Sequence, residues 1–478
     1  MRFSFSLIIL SACLLLLSCG NTPTHAPETA QAASSPSYSS PTTAKDDSFP
    51  VGVVIPKVIC QADPSQSYAL YLPKSYRKGK KYPVLFFFDS HAAGSLPLTK
   101  YDVLADRYGF IIACSNNSKN SLDVNTIIRI TSTFLDDVTG RLPVDPANMF
   151  VGGFSGGARV AIGVVLQDPR IHGVIANSAG FDPSREPLRK DVCFVGLVGS
   201  EDFNLTEMKN TQLALNSAGV TNDLLIFNGK HEWAPAADMD KAFLLFTLEG
   251  IRAKRMARND SIVNASFAAD EREANKLLAG KGDVLTRYAA CHLMNVYYTG
   301  IKPVEKYARL EQSFTGPSYT AARQQEEVMA QKEQNEQQNY AREFQEKDIP
   351  WWTAEINRLN KECNTTPDKE KRSYDKRTLA YLSLVAFMNA NAALKQDALS
   401  QAEAYLTLYK LIDPPNSEWA YLFACVAMRK NDPASATSYL DQAVKLGFTD
   451  LDRARNQPEF QPLVNDPKFN EVLAKIKA

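Results

Sequence analysis

A serine flanked by glycines is the residue of this 478-residue chain whose surroundings point most directly to chemistry. Residues 152–157 read Gly-Gly-Phe-Ser-Gly-Gly and contain the pattern G-x-S-x-G around Ser155. A strand is predicted before this segment and a helix after it, which is the turn that exposes a nucleophilic serine. Gly153 and Gly157 suit such a turn, because a Cβ at either position would clash. The alternative is a glycine-rich turn that holds a structural serine.

A serine hydroxyl needs a neighbouring base to become a useful nucleophile. Of the five histidines, His231 is the predicted base, because it lies in the loop between the last predicted strand, 223–227, and the closing helix. The alternative is a surface histidine beside Glu232. The other four histidines are less well placed for this role: His25 in an N-terminal linker, His91 after an early strand, His172 at the start of a strand and His292 in the helical half of the chain.

A carboxylate must hold that base in one tautomer. The strand predicted at 193–198 is followed by residues 199–202, which read Gly-Ser-Glu-Asp. Asp202 is the predicted orienting acid, since the spacing Gly-x-x-Asp lets the loop turn back before the carboxylate, and Glu201 is the alternative. The chain order Ser155, Asp202, His231 is that of α/β-hydrolases, and it differs from the order in chymotrypsin-like and subtilisin-like proteases.

Backbone amides are also needed to stabilise the charge that develops on the substrate oxygen. The amide of Gly156 is the first predicted donor, because it follows the serine at a helix N-terminus. The second donor is expected in residues 89–94, after a buried strand predicted at 82–88. The N–H of His91 is favoured, and Ser90 is the close alternative. The His91 side chain either contacts substrate or belongs to the structure of the loop.

The elements that must position these residues alternate between apolar strands and amphipathic helices from residue 50 to residue 255. Wholly apolar strands are typical of a parallel sheet buried on both faces. A doubly wound, mostly parallel α/β sheet is therefore the predicted fold class. Ligands bind beyond the carboxyl ends of the strands in such sheets, and the candidate residues lie there. The predicted strands cover residues 82–88, 110–114, 149–151, 174–176, 193–198 and 223–227.

Four segments of this region resemble motifs of the α/β-hydrolase superfamily, above all its small secreted esterases, the group of feruloyl esterases and polyhydroxybutyrate-depolymerase-like enzymes. These segments are residues 82–88, 153–157, 199–202 and 229–235. The last reads Gly-Lys-His-Glu-Trp-Ala-Pro and is similar to the Gly-x-His-x-Trp-Pro signature of the group, with one alanine inserted. The family usually has His-Gly where this chain has Asp-Ser, at residues 89–90.

The resemblance implies a serine esterase that forms an acyl-enzyme on Ser155 and needs no cofactor. Its implied substrates are carboxylic esters, including acyl or aromatic esters on a polysaccharide. Only 47 positions separate Ser155 from Asp202, which leaves no room for a long lid and favours bulky or polymer-attached esters. A peptidase of the same fold has no specific signal. The alternative from another class is a scaffold lipoprotein with an inactive hydrolase domain, and the departure at residues 89–90 motivates it.

The N-terminus resembles a bacterial lipoprotein signal. A positively charged start and an apolar run at 7–17 precede Cys19, the predicted site of lipid attachment. Residues 1–18 are the predicted signal peptide, and residues 19–49 form a predicted disordered tether rich in Thr, Pro, Ala and Ser. These features predict a protein of the bacterial cell envelope, bound to the membrane by its lipid at the periplasmic face or the cell surface. The alternative is an ordinary secretory signal.

Composition argues against two other classes of protein. Lys+Arg and Asp+Glu both total 53, so there is no excess of basic charge for nucleic-acid binding. With five histidines and no H-E-x-x-H motif, no metal site is predicted.

Six cysteines follow the lipidation site at scattered positions. Two of them, Cys114 and Cys193, lie in apolar surroundings and are predicted to be buried free thiols.

Beyond residue 255 the strand signals cease, and the rest of the chain is predicted to be helical. Residues 256–372 form a predicted connector, and residues 373–478 resemble tetratricopeptide repeats because apolar residues recur 34 positions apart. A protein partner or a polymeric substrate bound in the groove of the repeats is one interpretation. A structural appendage that covers the hydrolase is the other. The recurring pairs are Ala390 and Ala424, Ala402 and Ala436, and Leu406 and Leu440.

Overall fold

The computed structural model describes residues 49–280 and 282–476. The predicted signal peptide, Cys19 and nearly all of the predicted tether lie outside the described residues. Within the two described ranges, none of the helices combines the length and the apolar character needed to cross a bilayer.

An eight-stranded sheet forms the N-terminal half of the described chain, in the spatial order β1-β2-β4-β3-β5-β6-β7-β8. β2 is antiparallel to both β1 and β4, and the remaining neighbours pair in parallel. The strands are β1 (Val54–Ile59), β2 (Ser67–Tyr71), β3 (Tyr82–Phe88), β4 (Ile111–Ser115), β5 (Val144–Phe154), β6 (Ile171–Asn177), β7 (Cys193–Gly199) and β8 (Asn222–Phe227).

Five helices cover this sheet on both faces: α1 (Ser95–Tyr108), α2 (Val124–Arg141), α3 (Gly156–Gln167), α4 (Leu205–Ala218) and α5 (Ala236–Arg252). Successive residues of a strand point to opposite faces, so Leu85 and Phe87 pack with α1 and α5, whereas Phe86 and Phe88 pack with α2, α3 and α4. Two apolar cores therefore sandwich the sheet, which is why strands such as β3 and β7 are apolar along almost their whole length.

The remainder of the chain is helical. Helices α6 to α8 add to the core on the α1 and α5 side of the sheet, and α9 to α16 build a further core of their own. The helices are α6 (Asp260–Ala279), α7 (Val284–Tyr298), α8 (Glu305–Phe314), α9 (Pro317–Glu346), α10 (Ile349–Thr365), α11 (Lys369–Lys395), α12 (Leu399–Ile412), α13 (Ser417–Arg429), α14 (Pro433–Lys445), α15 (Leu451–Asn456) and α16 (Pro467–Leu473), with a 3₁₀ helix at Pro458–Leu463.

The predicted fold class, a mostly parallel α/β sheet followed by an all-helical region, is confirmed. The residues recurring at 34 positions are all buried in the C-terminal core, where α11 packs on α12 and α13 packs on α14. Equivalent positions therefore lie on successive helix pairs, and the tetratricopeptide interpretation rests on that spacing. The junction predicted at 372/373 falls inside α11, so the connector and the repeat region share a continuous helix.

The six cysteines of the described residues are all buried and free. The prediction of buried free thiols at Cys114 and Cys193 is confirmed, and burial raises the pKa of both thiols well above the ordinary value. Because the thiolate is the reactive form, neither sulfur is poised for nucleophilic chemistry.

Candidate active site

Ser155 lies between the end of β5 and the start of α3, in a conformation that a residue with a side chain seldom adopts. Its φ is 55° and its ψ is −120°. A Cβ on Gly153 would come within 2.2 Å of the Gly157 carbonyl oxygen, and a Cβ on Gly157 within 2.0 Å of the Phe88 carbonyl oxygen. Only glycines allow the chain to turn this sharply, and the turn holds the serine in a strained backbone geometry that projects its side chain.

Ser155, His231 and Asp202 are brought together by three loops at the carboxyl edge of the sheet. His231 Nε2 lies 2.8 Å from Ser155 Oγ, and His231 Nδ1 lies 3.0 and 3.1 Å from the two carboxylate oxygens of Asp202. A carboxylate only accepts hydrogen bonds, so it selects the tautomer that carries its proton on Nδ1. Nε2 is then left as the acceptor for the serine hydroxyl proton, which is the arrangement general-base catalysis requires.

Asp202 is fully buried, and its loop holds the carboxylate in place. The amide of Asn204 donates to Asp202 Oδ1 at 2.9 Å, and the Asp202 amide donates to the Gly199 carbonyl at 3.1 Å. The carboxylate of Glu201, the alternative acid, pairs with Lys376 on α11. The structure therefore brings Asp202, and not Glu201, to the histidine.

The histidine loop is fixed by aromatic packing and by buried hydrogen bonds. The imidazole of His231 stacks on Phe203, with ring centroids 4.3 Å apart, and contacts Phe154 on another side at 4.9 Å. The Tyr101 hydroxyl of α1 donates to the Ala234 carbonyl at 2.7 Å, and burial raises the pKa of that tyrosine. Two aromatic rings and a buried hydroxyl thus limit how far the imidazole can move.

The loop after β3 does not present the His91 amide as the free oxyanion donor that was predicted there. The amide of His91, the favoured second oxyanion donor, donates instead to Asp89 Oδ1 at 2.8 Å, and so does the amide of Ala93 at 3.2 Å. Asp89 is buried, and its other oxygen accepts from Trp233 Nε1 at 2.8 Å. Because this carboxylate occupies the His91 amide, His91 is not a free donor in this geometry, and Ser90 remains the alternative.

The amide of Gly156 keeps the position predicted for it. Gly156 is the first residue of α3, so its N–H has no acceptor within the helix and is available to a bound group. The positive end of the helix dipole adds to this amide's preference for negative charge.

Asn120, which no sequence motif indicates, lies beside Gly156 and Ser90. Its amide donates to the Ser90 carbonyl at 2.9 Å, and its side-chain oxygen sits 1.8 Å from where a Cβ of Gly156 would be. Lys119 forms a β-bridge with His91, whose side chain is 76% exposed. The signal for this loop was available, because the polar residues 116–120 directly follow β4 at the same sheet edge.

A second surface feature lies apart from this site. A groove of about 580 Å³ lies between α3 and residues 180–187, and neither the serine, the histidine nor the buried aspartate lines it. Among the described residues, no group of three or more His, Cys, Asp or Glu side chains is arranged to hold a metal ion.

No known family model matches the chain, and no curated protein sequence matches it. Several solved structures resemble its first half. The fluorophosphonate-binding serine hydrolase FphF of Staphylococcus aureus is 13% identical, with a TM-score of 0.35, covering 41% of this chain and 97% of its own. A ferulic acid esterase is 20% identical, with a TM-score of 0.33 and coverages of 40% and 93%. An esterase of the archaeon Pyrobaculum calidifontis is 12% identical, with a TM-score of 0.33 and coverages of 40% and 81%.

These structural neighbours are serine hydrolases and esterases of low sequence identity. At these TM-scores the likeness bears on neither the substrate nor the activity of this chain. What the site can do is therefore inferred from its own geometry.

Proposed function

We propose that this protein is a serine hydrolase that cleaves carboxylic esters through an acyl-enzyme. The observation that carries this proposal is the continuous set of hydrogen bonds from Asp202 to His231 to Ser155, at a serine with φ of 55°. A structural serine would need neither the strained turn nor a histidine that is itself oriented by a buried carboxylate.

The reaction would follow from this geometry. Ser155 Oγ attacks the ester carbonyl carbon while His231 Nε2 accepts the hydroxyl proton, and Asp202 stabilises the resulting imidazolium. The amide of Gly156 donates to the oxyanion of the tetrahedral intermediate. When the C–O bond to the alcohol breaks, His231 returns the proton to the leaving oxygen. Water then attacks the acyl-enzyme, with His231 again accepting and returning the proton, and the carboxylic acid is released.

The second oxyanion donor would come from the loops that cover Gly156. The Ser90 amide is the remaining candidate in the loop after β3. The Asn120 side chain lies beside Gly156, with its donor Nδ2 3.4 Å from where a Gly156 Cβ would be and its Oδ1 nearer, at 1.8 Å. An asparagine side chain can supply an oxyanion donor as well as a backbone amide can. Asn120 is therefore proposed to contact the reacting carbonyl.

The activity is tested on purified protein with p-nitrophenyl acetate and with a fluorophosphonate probe. Wild type should turn over the ester and label covalently, and Ser155→Ala should lose both signals. His231→Ala should fold and lose nearly all turnover. Absence of Ser155-dependent labelling and turnover in the wild type would refute the proposal.

The substrate class is proposed more narrowly as esters attached to polysaccharide. The resemblance of four sequence segments to feruloyl esterases supports this, together with the connection from β6 to β7, residues 178–192, which contains no helix. A panel of acetyl, feruloyl and peptide substrates tests it. Higher kcat/KM for acetyl or feruloyl sugars than for p-nitrophenyl esters would support the class, and preference for a peptide would overturn it.

The location is proposed to be the bacterial cell envelope, with the mature protein lipid-anchored through Cys19 and a protein partner or polymer bound at the helical repeats. Cys19→Ser should abolish incorporation of labelled fatty acid and release the protein from the membrane fraction.

The second candidate function is a scaffold lipoprotein with an inactive hydrolase domain. The occupied His91 amide favours it, because one expected oxyanion donor is unavailable. Retention of partner binding without any turnover would favour that candidate.

A further inference from the structure

The helical region reaches the loop that carries the buried acid of the triad. Two consecutive residues of α11 contact it: Arg377 Nη1 donates to the Ser200 carbonyl at 2.9 Å, and the Lys376 ammonium pairs with the Glu201 carboxylate. These contacts join segments 177 and 175 residues apart in the chain. Asp202 is the next residue along, so the contact lies within two residues of the proposed orienting carboxylate.

Two backbone amides of this loop are bonded within the α/β half. The amide of Ser200 donates to the Phe227 carbonyl at 2.8 Å, and the amide of Glu201 donates to the Gly229 carbonyl at 2.9 Å. These two bonds tie the acid loop to the segment that leads into His231. The Ser200 carbonyl accepts from Arg377. The loop is therefore bonded both to the α/β half and to α11.

Arg377 is itself held rigidly. Its Nε and Nη2 donate to the two oxygens of Glu333 on α9, at 2.8 and 2.7 Å. The two side chains are only 8% and 4% exposed, so this is a buried two-pronged ion pair. Such a fork fixes the guanidinium plane, and the remaining Nη1 points at Ser200. Apolar residues of similar volume would fill the space about as stably, but they could not donate to the carbonyl.

We propose that Arg377 is a positioning residue for Asp202, so that the helical region completes the active site of the α/β half. Its guanidinium, oriented by Glu333, holds the Ser200 carbonyl and thereby fixes the acid loop against the histidine loop. A displacement of about 1 Å in a catalytic group lowers turnover by up to about 100-fold, so a contact this close to Asp202 is large enough to matter. This inference rests on the proposed hydrolase function.

The test compares full-length variants. Arg377→Met should lower kcat about 10- to 100-fold and change KM by less than about twofold, because the acid is misplaced while the substrate site is intact. Arg377→Lys should recover part of kcat, since one ammonium cannot serve both Glu333 and Ser200. The matched control is Lys209→Met, which removes the half-exposed Lys209–Glu326 pair that joins α4 to α9 without contact to the acid loop. Its kcat should stay within about twofold of wild type.

A second readout separates this inference from the proposed activity. The downfield proton resonance of His231 Nδ1–H, bonded to Asp202, should broaden or move in Arg377→Met and stay unchanged in Lys209→Met. If wild type hydrolyses no ester but the resonance responds to Arg377→Met, the proposed function fails and the positioning role stands. If Arg377→Met does not fold, Glu333→Gln replaces it, with the same direction expected. Wild-type kcat and an unchanged resonance in a folded Arg377 or Glu333 variant would overturn the inference.

Discussion

Replacing Asp202 by asparagine tests the logic of the site with almost no change in shape. One carboxylate oxygen accepts from both His231 Nδ1 and the Asn204 amide, and the other lies 3.1 Å from Nδ1. In Asp202→Asn one of these oxygens becomes an NH₂ group. With the oxygen kept on the Asn204 side, the NH₂ group lies at the position 3.1 Å from Nδ1 and competes with that oxygen for it. Where the NH₂ group donates to Nδ1, the imidazole carries its proton on Nε2, faces Ser155 with a donor and cannot accept the hydroxyl proton.

The expected loss is large because the base is in the wrong tautomer and the imidazolium is no longer stabilised. We expect kcat to fall about 10³- to 10⁴-fold, with KM changed little. At about 1.36 kcal/mol for each tenfold change, this is about 4–5 kcal/mol of lost transition-state stabilisation. The Asp202 carboxylate is fully buried and so does not contact substrate. The substitution should therefore lower kcat and leave KM almost unchanged.

The assay is the hydrolysis of p-nitrophenyl acetate under steady-state conditions, together with the rate of fluorophosphonate labelling. Glu201→Gln is the matched control, because it removes one charge from the adjacent residue, whose partner is a surface ammonium. Its kcat should remain within about threefold of wild type, since half-exposed ion pairs contribute little. Strong loss in Glu201→Gln together with activity in Asp202→Asn would refute the assignment of the acid.

Three further outcomes are expected. Gly157→Ala should abolish soluble folding or lower the thermal unfolding midpoint sharply, since its Cβ would lie 2.0 Å from the Phe88 carbonyl oxygen, and circular dichroism melting checks this. Asn120→Ala should lower kcat about 10- to 100-fold in the ester assay if its amide contacts the oxyanion, whereas wild-type kcat would remove it from the mechanism. The third concerns pH. Burial opposes the charged form of His292, but the hydrogen bond and charge of Glu311 prevail and raise the pKa of that histidine above its ordinary value of 6.5. A raised folded pKa stabilises the protein fully below pH 6.5, and this contribution is lost as the pH rises through the folded value. The melting advantage of wild type over His292→Gln should therefore shrink as the pH rises above 6.5, and an advantage that grows would contradict the reasoning.

The parts of the molecule that could be predicted are those in which the local sequence pattern is strong enough to determine the secondary structure and its burial. The strand at Tyr82–Phe88 is apolar at every position, so its burial on both faces follows directly, and the structure has it at the same bounds. The three candidate catalytic side chains each follow such a strand, and parallel strands bring their carboxyl ends to one edge. The meeting of Ser155, Asp202 and His231 follows from topology alone once the strands are placed.

Other elements carry weaker local signals. The strands β1 and β2 lie at the antiparallel end of the sheet, where Pro56 and Lys57 interrupt the apolar residues of β1, and no strand was predicted there. β5 begins at Val144, ahead of the predicted 149–151, because its first part contains Asp and Pro that a buried-strand pattern excludes. These segments are stabilised by pairing with neighbours and not by their own composition.

The prediction of a free His91 amide in the loop after β3 failed for a different reason. The resemblance placed Asp89 and Ser90 where the related enzymes have His-Gly, and the expectation was that a neighbouring amide would stay free. A buried aspartate binds local amides whenever the chain turns within reach, and here it takes that of His91. The same carboxylate also accepts from Trp233 in the histidine loop. The departure therefore has a physical consequence, since Asp89 ties the loop after β3 to the loop that carries His231.

The contact of Arg377 with Ser200 is the kind of feature that no local pattern predicts. An arginine in an amphipathic helix is ordinarily a solvated residue, and its burial here depends on Glu333 meeting it from another helix. The partners lie 44 and 177 residues away in sequence, so neither spacing nor periodicity relates them. Yet once the helices dock, the guanidinium lies against the loop of the proposed acid. The helical region, interpreted from its repeats either as a binding groove or as a structural appendage, thus also contacts the candidate active site.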